Sequence, residues 1–412
     1  MNRKNEVIAT LDLGTTKVTV LVAEVGEGGM SVLGVGTAEC EGLRKGMVTS
    51  IGKTVEAVCK AKHDAEQMSG YMVSEVVAGV GGTHVVGVNN HAMVSTKQRE
   101  IGRGDVKRVL ALATECSFPV DRQVINVLPQ QYTVDEHDGI RDPVGMSGVR
   151  LEADVHLITA ARAALDNVTK CAERSGLQVM EFVANPLASA MAVLEDNERE
   201  LGVVVLDLGG GSGDLAIWAN GSLLHTGVIG AGGNLITRDI ATGLRTPAAC
   251  AEELKVKYGS AWGKMVAAGE TIAVPGVGGR AEKSLSRHVL TEIIEPRVIE
   301  IFGLVRREIQ KTGLEDLLAG GLVITGGAAQ MPGLVELGDE LLNLPVRLGV
   351  ARGVKGLASI LGNPGLSTAY GLAVFAAMPV RGDVPEAMLP VRQGKSHLGL
   401  RAWVRKTLGY LF

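Results

Sequence analysis

Near the start of the chain, β-branched and other apolar residues form two runs around a short polar turn. EVIATLDLGTTKVTVLVAEV, residues 6–25, predicts two strands joined by a tight hairpin at an Asp-x-Gly segment. The pattern returns 195 residues further on as GVVVLDLGGGSGDLAIWANG, with Leu206-Asp207-Leu208-Gly209 in the places of Leu11-Asp12-Leu13-Gly14. Two similar α/β halves are therefore expected. Between the copies, the helical spacing of residues 50–70 ends in glycine, and SEVVAGVGG at 74–82 predicts a buried strand that continues the first half. Residues 84–160 change character. They mix strand-like HVVGVNNHAMVST and VINVLPQQYTV with a helix, DVKRVLALATEC, whose expected cap is Asp105, and predict an inserted subdomain.

After the second copy, residues 247–311 predict mostly helix. SRHVLTEIIEPRVIEIFGLVRREIQKTG, 286–313, carries apolar positions at helical spacing with an interruption at Pro296. LAGGLVITGGAAQMPG, 318–333, predicts a strand then a loop, and STAYGLAVFAA, 367–377, a closing helix. Pro379, Pro385 and Pro390 then punctuate a polar stretch that cannot build a core and reads as a tether. At the end, Leu400, Trp403, Val404, Leu408, Leu411 and Phe412 recur as one helical stripe, with Arg401, Arg405 and Lys406 outside it. Such a helix lies in the plane of a membrane surface with its cations toward anionic lipid. The alternative is a helix docked on the protein's own core.

At 412 residues the chain is too long for one core, since domains run to about 100–200 residues. With 46% hydrophobic and 21% charged residues, most of it should fold. Its 41 basic residues against 45 acidic ones leave no overall positive field, so nucleic acid is not an expected partner. The local exception is residues 387–412, with five basic residues and no acid, which sets the tail apart as a device of its own. Five scattered cysteines without a CxxC pair fit a reducing compartment, and His84, His91 and His156 lack metal-ligand spacing. No signal peptide or long apolar span is expected, which places the chain in the cytosol unless its tail anchors it.

A carboxylate at the end of a strand, beside a glycine-rich hairpin, suits phosphate and magnesium: backbone N–H groups face the anion and the carboxylate holds metal-bound water. One Asp-x-Gly alone reads more readily as an ordinary turn. Two matched copies would clamp one nucleotide from both sides, with Asp12, Gly14, Thr15, Thr16 and Lys17 opposite Asp207, Gly209, Gly210, Gly211 and Ser212. Asp12 and Asp207 are the candidate magnesium contacts. Glu252 and Lys255, three apart on a predicted helix, could reach a ribose together or form a solvated ion pair. Gly326 and Gly327 offer a backbone surface on which a flat base could lie, or an ordinary strand-to-helix loop.

The order LDLGTTK, NPLASAMA, LDLGGGSGDL, AEELKVKYG, VITGGAAQMPG, STAYGLAVF resembles the actin, heat-shock chaperone and sugar kinase ATPase superfamily. Within it, ECEGLRKGMVTSIGKT, AGGNLITRDIATGL, the 84–160 insertion and the tail resemble the FtsA family of bacterial cell-division proteins. The resemblance implies an α/β, actin-like ATPase fold of two duplicated RNase H-like halves with an inserted α+β subdomain in the first half. Residues 1–83 and 161–195 would form the first large subdomain and 84–160 the insertion, which would make filament and division-protein contacts. Residues 196–246 with 312–378 would form the second large subdomain, 247–311 a smaller one, 379–395 a linker and 396–412 the membrane helix.

The resemblance further implies ATP and magnesium, head-to-tail filaments, and recruitment of the tubulin-like protein FtsZ and later divisome proteins to the inner face of the cytoplasmic membrane at the division site. It adds Gly232, Gly233, Ala328 and Met331 to the nucleotide set, and places the FtsZ C-terminal peptide on the 247–311 subdomain, where Arg287, Arg297 and Arg306 could pair with its acids. Active relatives of the fold carry a glutamate before the proline of the connecting helix. This chain has Asn185 there, which can hold a water but not take its proton, so slow hydrolysis is expected. A small-molecule kinase of the same fold would need a catalytic carboxylate near the cleft and a substrate-binding insertion, neither of which stands out. A pilus-assembly relative with the same insertion is disfavoured by EGLRKGMV and the terminal helix.

Overall fold

The computed structural model describes residues 6–26, 29–96, 100–115, 118–278, 280–353, 355–357 and 362–378. The expected tether, with Pro379, Pro385 and Pro390, and the membrane stripe from Leu400 to Phe412 lie outside the described residues.

Strands β1 (Glu6–Leu13), β2 (Lys17–Gly26) and β3 (Gly29–Glu39) open the chain, followed by a short hairpin of β4 (Leu43–Arg44) and β5 (Met47–Val48), helix α1 (Ile51–Ser69) and β6 (Glu75–Val80). Helix α1 ends at Gly70, whose φ of 73° is the left-handed geometry glycine adopts without a Cβ clash. The insertion follows as β7 (Val86–Ser95), α2 (Arg103–Thr114), β8 (Arg122–Val134), β9 (His137–Ile140) and β10 (Arg150–Ala161). It has its own sheet, in the order β7-β10-β8-β9, and its own core from residues such as Val109, Leu110, Leu151 and Leu157. Helix α2 starts before Asp105, which is not the cap. Gly102 holds that place, and Asp105 reaches back from the first turn to accept the Gly102 N–H at 3.0 Å.

The chain returns through α3 (Arg162–Arg174), β11 (Gln178–Ala184) and α4 (Asn185–Val193), then crosses by α5 (Asp196–Leu201) to β12 (Val203–Leu208), β13 (Gly213–Ala219) and β14 (Ser222–Ile229). Next come α6 (Gly233–Leu244), α7 (Ala248–Tyr258), a hairpin of β15 (Thr271–Val274) and β16 (Lys283–Ser286), and α8 (Arg287–Thr312). The stretch expected to be mostly helix thus contains a small sheet, whose four-residue strands are too short to show a period. Pro296 does not interrupt α8. A proline inside a helix costs roughly 3 kcal/mol. Burial of Leu290, Ile294, Val298, Ile301, Phe302, Val305 and Ile309 along one face outweighs that, at about 1.5–3 kcal/mol for each large side chain. The chain ends its described course in β17 (Leu322–Thr325), α9 (Leu334–Leu342), β18 (Val346–Leu348), β19 (Lys355–Gly356) and α10 (Ser367–Ala377).

The duplication expected from the sequence is present in the sheets. The first runs β11-β6-β1-β2-β3 with β19 at its edge, and the second, read from its far end, runs β18-β17-β12-β13-β14. In both, the first three strands are parallel and the last three antiparallel. Helices α4 and α10 fill the space between the sheets. Pro186 to Val193 and Ser367 to Ala373 are buried without an exposed face, as befits helices apolar all round. Each reaches across: α4 follows the first half yet packs on β12 and β13, and α10 closes the second half yet packs on β1, β2 and β6.

The insertion leans on the edge of the second sheet through polar contacts. Gln130 donates to the Leu223 carbonyl at 2.9 Å and Asn89 to that of Leu224 at 3.0 Å. His156 lies 2.9 Å from the Thr226 hydroxyl, and burial pushes its pKa down to about 3, so it stands there neutral. Among the described residues no helix is long and apolar enough to cross a membrane.

Candidate functional site

The first hairpin closes at the Leu13–Val18 pair and the second at Leu208–Gly213, each leaving a four-residue loop. Gly14 N–H donates to the Lys17 carbonyl at 3.0 Å, and Gly209 N–H to the Ser212 carbonyl at 3.0 Å, so the two turns are the same. They face each other across a cleft of about 670 Å³, counting the part open to solvent. The cleft is lined by Asp12, Gly14, Thr15, Thr16 and Lys17 from one side and Asp207, Gly209, Gly210, Gly211 and Ser212 from the other, with Asn185, Gly326 and Gly327 as well. The sequence motifs are thus brought together in one place.

Three buried carboxyls meet here. Asp207 accepts hydrogen bonds from Ser189 on α4 and, at 2.7 Å, from Thr368 on α10, so the two crossing helices hold it. Burial raises its pKa, and those two hydroxyls oppose the rise. Burial, aided by the charge of Asp207, lifts Asp12 to about 7 against the pull of Lys17. Asp214, directly opposite Asp207 in the β12–β13 ladder, takes the Gly82 N–H at 3.1 Å and is also lifted to about 7, by burial and then by Asp207. Burial lowers the pKa of Lys17 while Asp12 and Asp207 hold it up. Gly326 has a φ of 92°, and a Cβ there would collide with the Asp207 carboxylate, so only glycine lets this backbone pass over it.

Asn185 lines the cleft, and its buried Oδ1 has no hydrogen-bond partner among the described residues. Its amide nitrogen and Asp214 Oδ2 flank Gly81, at 2.6 and 2.7 Å from the point a Cβ would occupy there. Gly233 N–H donates to the Gly209 carbonyl at 3.0 Å, tying α6 and the Gly232–Gly233 pair to the second hairpin. Glu252 and Lys255 do form an ion pair, at 2.7 Å, and Lys255 also donates to Thr237 at 2.9 Å and to the Gly233 carbonyl at 3.3 Å. They lie beside the hairpin and do not line the cleft. Ala328 comes near Gly233, and Met331 packs against the second core.

The arginines of α8 are engaged at home. Arg287 pairs with Glu270 at 2.6 Å, Arg297 with Asp239 and Glu300 at 2.5 Å each, and Arg306 donates to the Leu341 carbonyl.

Asp214, Gly46, Gly81, Ser189, Gly365 and Thr368 belong to the site and were not singled out in the sequence. Asp214 is a further carboxylate at the cleft. Its signal was present: Asp207 and Asp214 are equally far from the turn, and antiparallel register places such residues opposite one another.

Two duplicated sheets closing on one cleft between matched glycine turns define an actin-like ATPase fold. Solved structures agree on the fold: the PilM–PilN type IV pilus biogenesis complex (TM-score 0.65, 16% identity, covering 90% of this chain and 99% of that one), and MreB5 of Spiroplasma citri bound to ADP (TM-score 0.55, 14% identity, 90% and 96%). Within that class the chain belongs to the FtsA family of cell division proteins. The family model "Cell division protein FtsA" matches residues 204–371, and "SHS2 domain inserted in FTSA" matches residues 82–159. The cell division protein FtsA of Pseudomonas aeruginosa is 44% identical over 374 residues, 90% of both chains, and that of Neisseria meningitidis 41% identical over 414 residues, 99% of this chain and 100% of its own. It is therefore a cell-division protein, which sets aside the kinase and pilus-assembly alternatives.

Proposed function

We propose that the chain binds ATP with magnesium between its halves, assembles head to tail into filaments on the cytoplasmic face of the inner membrane at the division site, and there holds FtsZ filaments and recruits later divisome proteins. The observation that carries the nucleotide part is the pair of identical turns facing each other, each with a buried aspartate, across one cleft. Solved structures of MreB5 with ADP and with AMPPNP give the same fold an adenine nucleotide.

The residues present fit a magnesium nucleotide. With the Gly14 and Gly209 N–H groups closing the turns, the Thr15–Lys17 and Gly210–Ser212 backbones would offer donors to phosphates, and the glycine surface at Gly326 and Gly327 would take a base. Asp12 and Asp207, both buried at the cleft, would hold magnesium through its water. The ion would supply neutralisation of phosphate charge. Asp12 and Asp214, protonated in part near neutral pH, would give up their protons to let it in. Asn185 holds a water with its free Oδ1 and cannot take the proton, so turnover is slow and the nucleotide serves chiefly to close the cleft and favour filament contacts.

Residues 396–412 would dock each subunit on anionic lipid, with many weak tethers adding along a filament. The FtsZ C-terminal peptide would bind the 247–311 subdomain that carries α7 and α8, its acids competing with Glu270, Asp239 and Glu300 for Arg287 and Arg297. Electron microscopy on anionic lipid monolayers tests the whole reading. Filaments are expected with Mg–ATP, and none from a chain ending at residue 395. Bare monolayers with the full chain, or rapid phosphorylation of a small molecule, would overturn it.

A further inference from the structure

The β4–β5 hairpin turns at Lys45 and Gly46, with φ of 51° and 79°. Two left-handed residues make the tightest hairpin turn, a place where glycine, asparagine or aspartate normally stands. A lysine there stands in a strained backbone conformation. Strain of this kind gathers where a side chain is needed at a particular point.

That point lies across the mouth of the cleft. Gly46 lines the cleft and donates its N–H to the Thr15 hydroxyl at 3.3 Å. From the first half, Lys45 reaches the second on two sides: its Cα is 3.1 Å from where a Cβ of Gly211 would be, and its Nζ 3.6 Å from the same point on Gly230, between β14 and α6. Lys45 is exposed and makes no ion pair with a described residue.

Close approaches also give the cleft a direction. Beyond one end, outside the cleft lining, Gly233 meets Ala328 and Lys255; in the middle Gly210 meets Thr16; at the other end Gly211 meets Thr15 and Lys45, beside Gly81, Asn185 and Asp214. With the nucleoside at the Gly233–Gly327 end, the last phosphate of a triphosphate falls at the Lys45 end. Among the described residues lining the cleft, Lys17 is the only cation against Asp12, Asp207 and Asp214. The terminal phosphate would meet Asp214 without a protein cation unless one is brought in.

We propose that Lys45 distinguishes a nucleoside triphosphate from the diphosphate: carried on the β4–β5 turn across the cleft mouth, its ammonium pairs with the terminal phosphate and ties the first half to the second. This rests on the nucleotide reading above, and the test separates the two. Lys45→Asn keeps a residue suited to the left-handed turn and removes the cation, so the fold survives. Lys45→Arg keeps the cation.

Calorimetry on the full chain with Mg–ADP and Mg–AMPPNP should show Lys45→Asn losing about tenfold in AMPPNP affinity with ADP affinity and thermal midpoint held, and Lys45→Arg recovering to within about threefold. ADP binding by the native chain together with AMPPNP affinity indifferent to position 45, or an equal loss for both nucleotides, overturns the role of Lys45 alone. Failure of the native chain to bind ADP overturns the nucleotide reading and this inference with it.

Discussion

The two hairpins facing each other across the cleft have one backbone and opposite electrostatics. Each closes with the same glycine-to-carbonyl bond and carries its aspartate two residues earlier. Lys17, however, corresponds to Ser212, and Thr19, opposite Asp12, corresponds to Asp214, opposite Asp207. The first hairpin thus brings a carboxylate and its counter-cation, the second two carboxylates and none. The repeat holds in the backbone of the turns, and departs where side chains set the charge. One hairpin carries its own counter-cation, and the other has none among its own residues, which is the gap that the proposed metal ion and Lys45 would fill.

The largest test of this contrast uses pH. Asp12 and Asp214 hold protons up to about pH 7 in the folded chain, well above the ordinary carboxyl value of 3.8. Between roughly pH 4 and 7 the folded state therefore binds more protons than the unfolded, and stability falls as pH rises through that window, levelling off above it. At about 1.4 kcal/mol per pH unit, each carboxyl accounts for on the order of 4 kcal/mol. Denaturant titrations without metal or nucleotide should show this fall in the native chain and a clearly shallower one in Asp214→Asn, which puts a neutral residue opposite Asp207 as Thr19 stands opposite Asp12. An unaltered slope would mean the second carboxylate carries no strain.

Next in size, Lys17→Glu gives the first hairpin the charge of the second, and should weaken ADP binding by about a hundredfold, near 3 kcal/mol. Calorimetric affinity within about threefold of the native chain would show that the cation is dispensable. The smallest effect concerns Thr19, whose buried hydroxyl has no partner among the described residues. Thr19→Val should stabilise the chain by up to about 1 kcal/mol, because an unmet polar group is replaced by an apolar one of the same shape. A loss of stability would give that hydroxyl a role like the one Asp214 has.

Much of this was legible in the chain. Alternation, β-branched runs and Asp-Gly turns are properties of neighbouring residues, so the duplicated hairpins, α1 and α10 were all visible. Asp214 was within reach too, by counting outward from the turn as far as Asp207 lies from it. The β15–β16 hairpin left no period to find, and Pro296 pointed to a break that packing overrode.

What the sequence determined by itself is the repeat: two halves, each ending a central strand in an aspartate before a four-residue turn. What only the tertiary structure decided is the surroundings of those aspartates: Ser189 and Thr368 on Asp207, Gly326 passing over it, Lys45 and Gly46 across the mouth, and the rise of Asp12 and Asp214 toward neutrality. The reason is that burial and the field of a neighbouring charge depend on distances between segments far apart along the chain, and no local pattern records those distances.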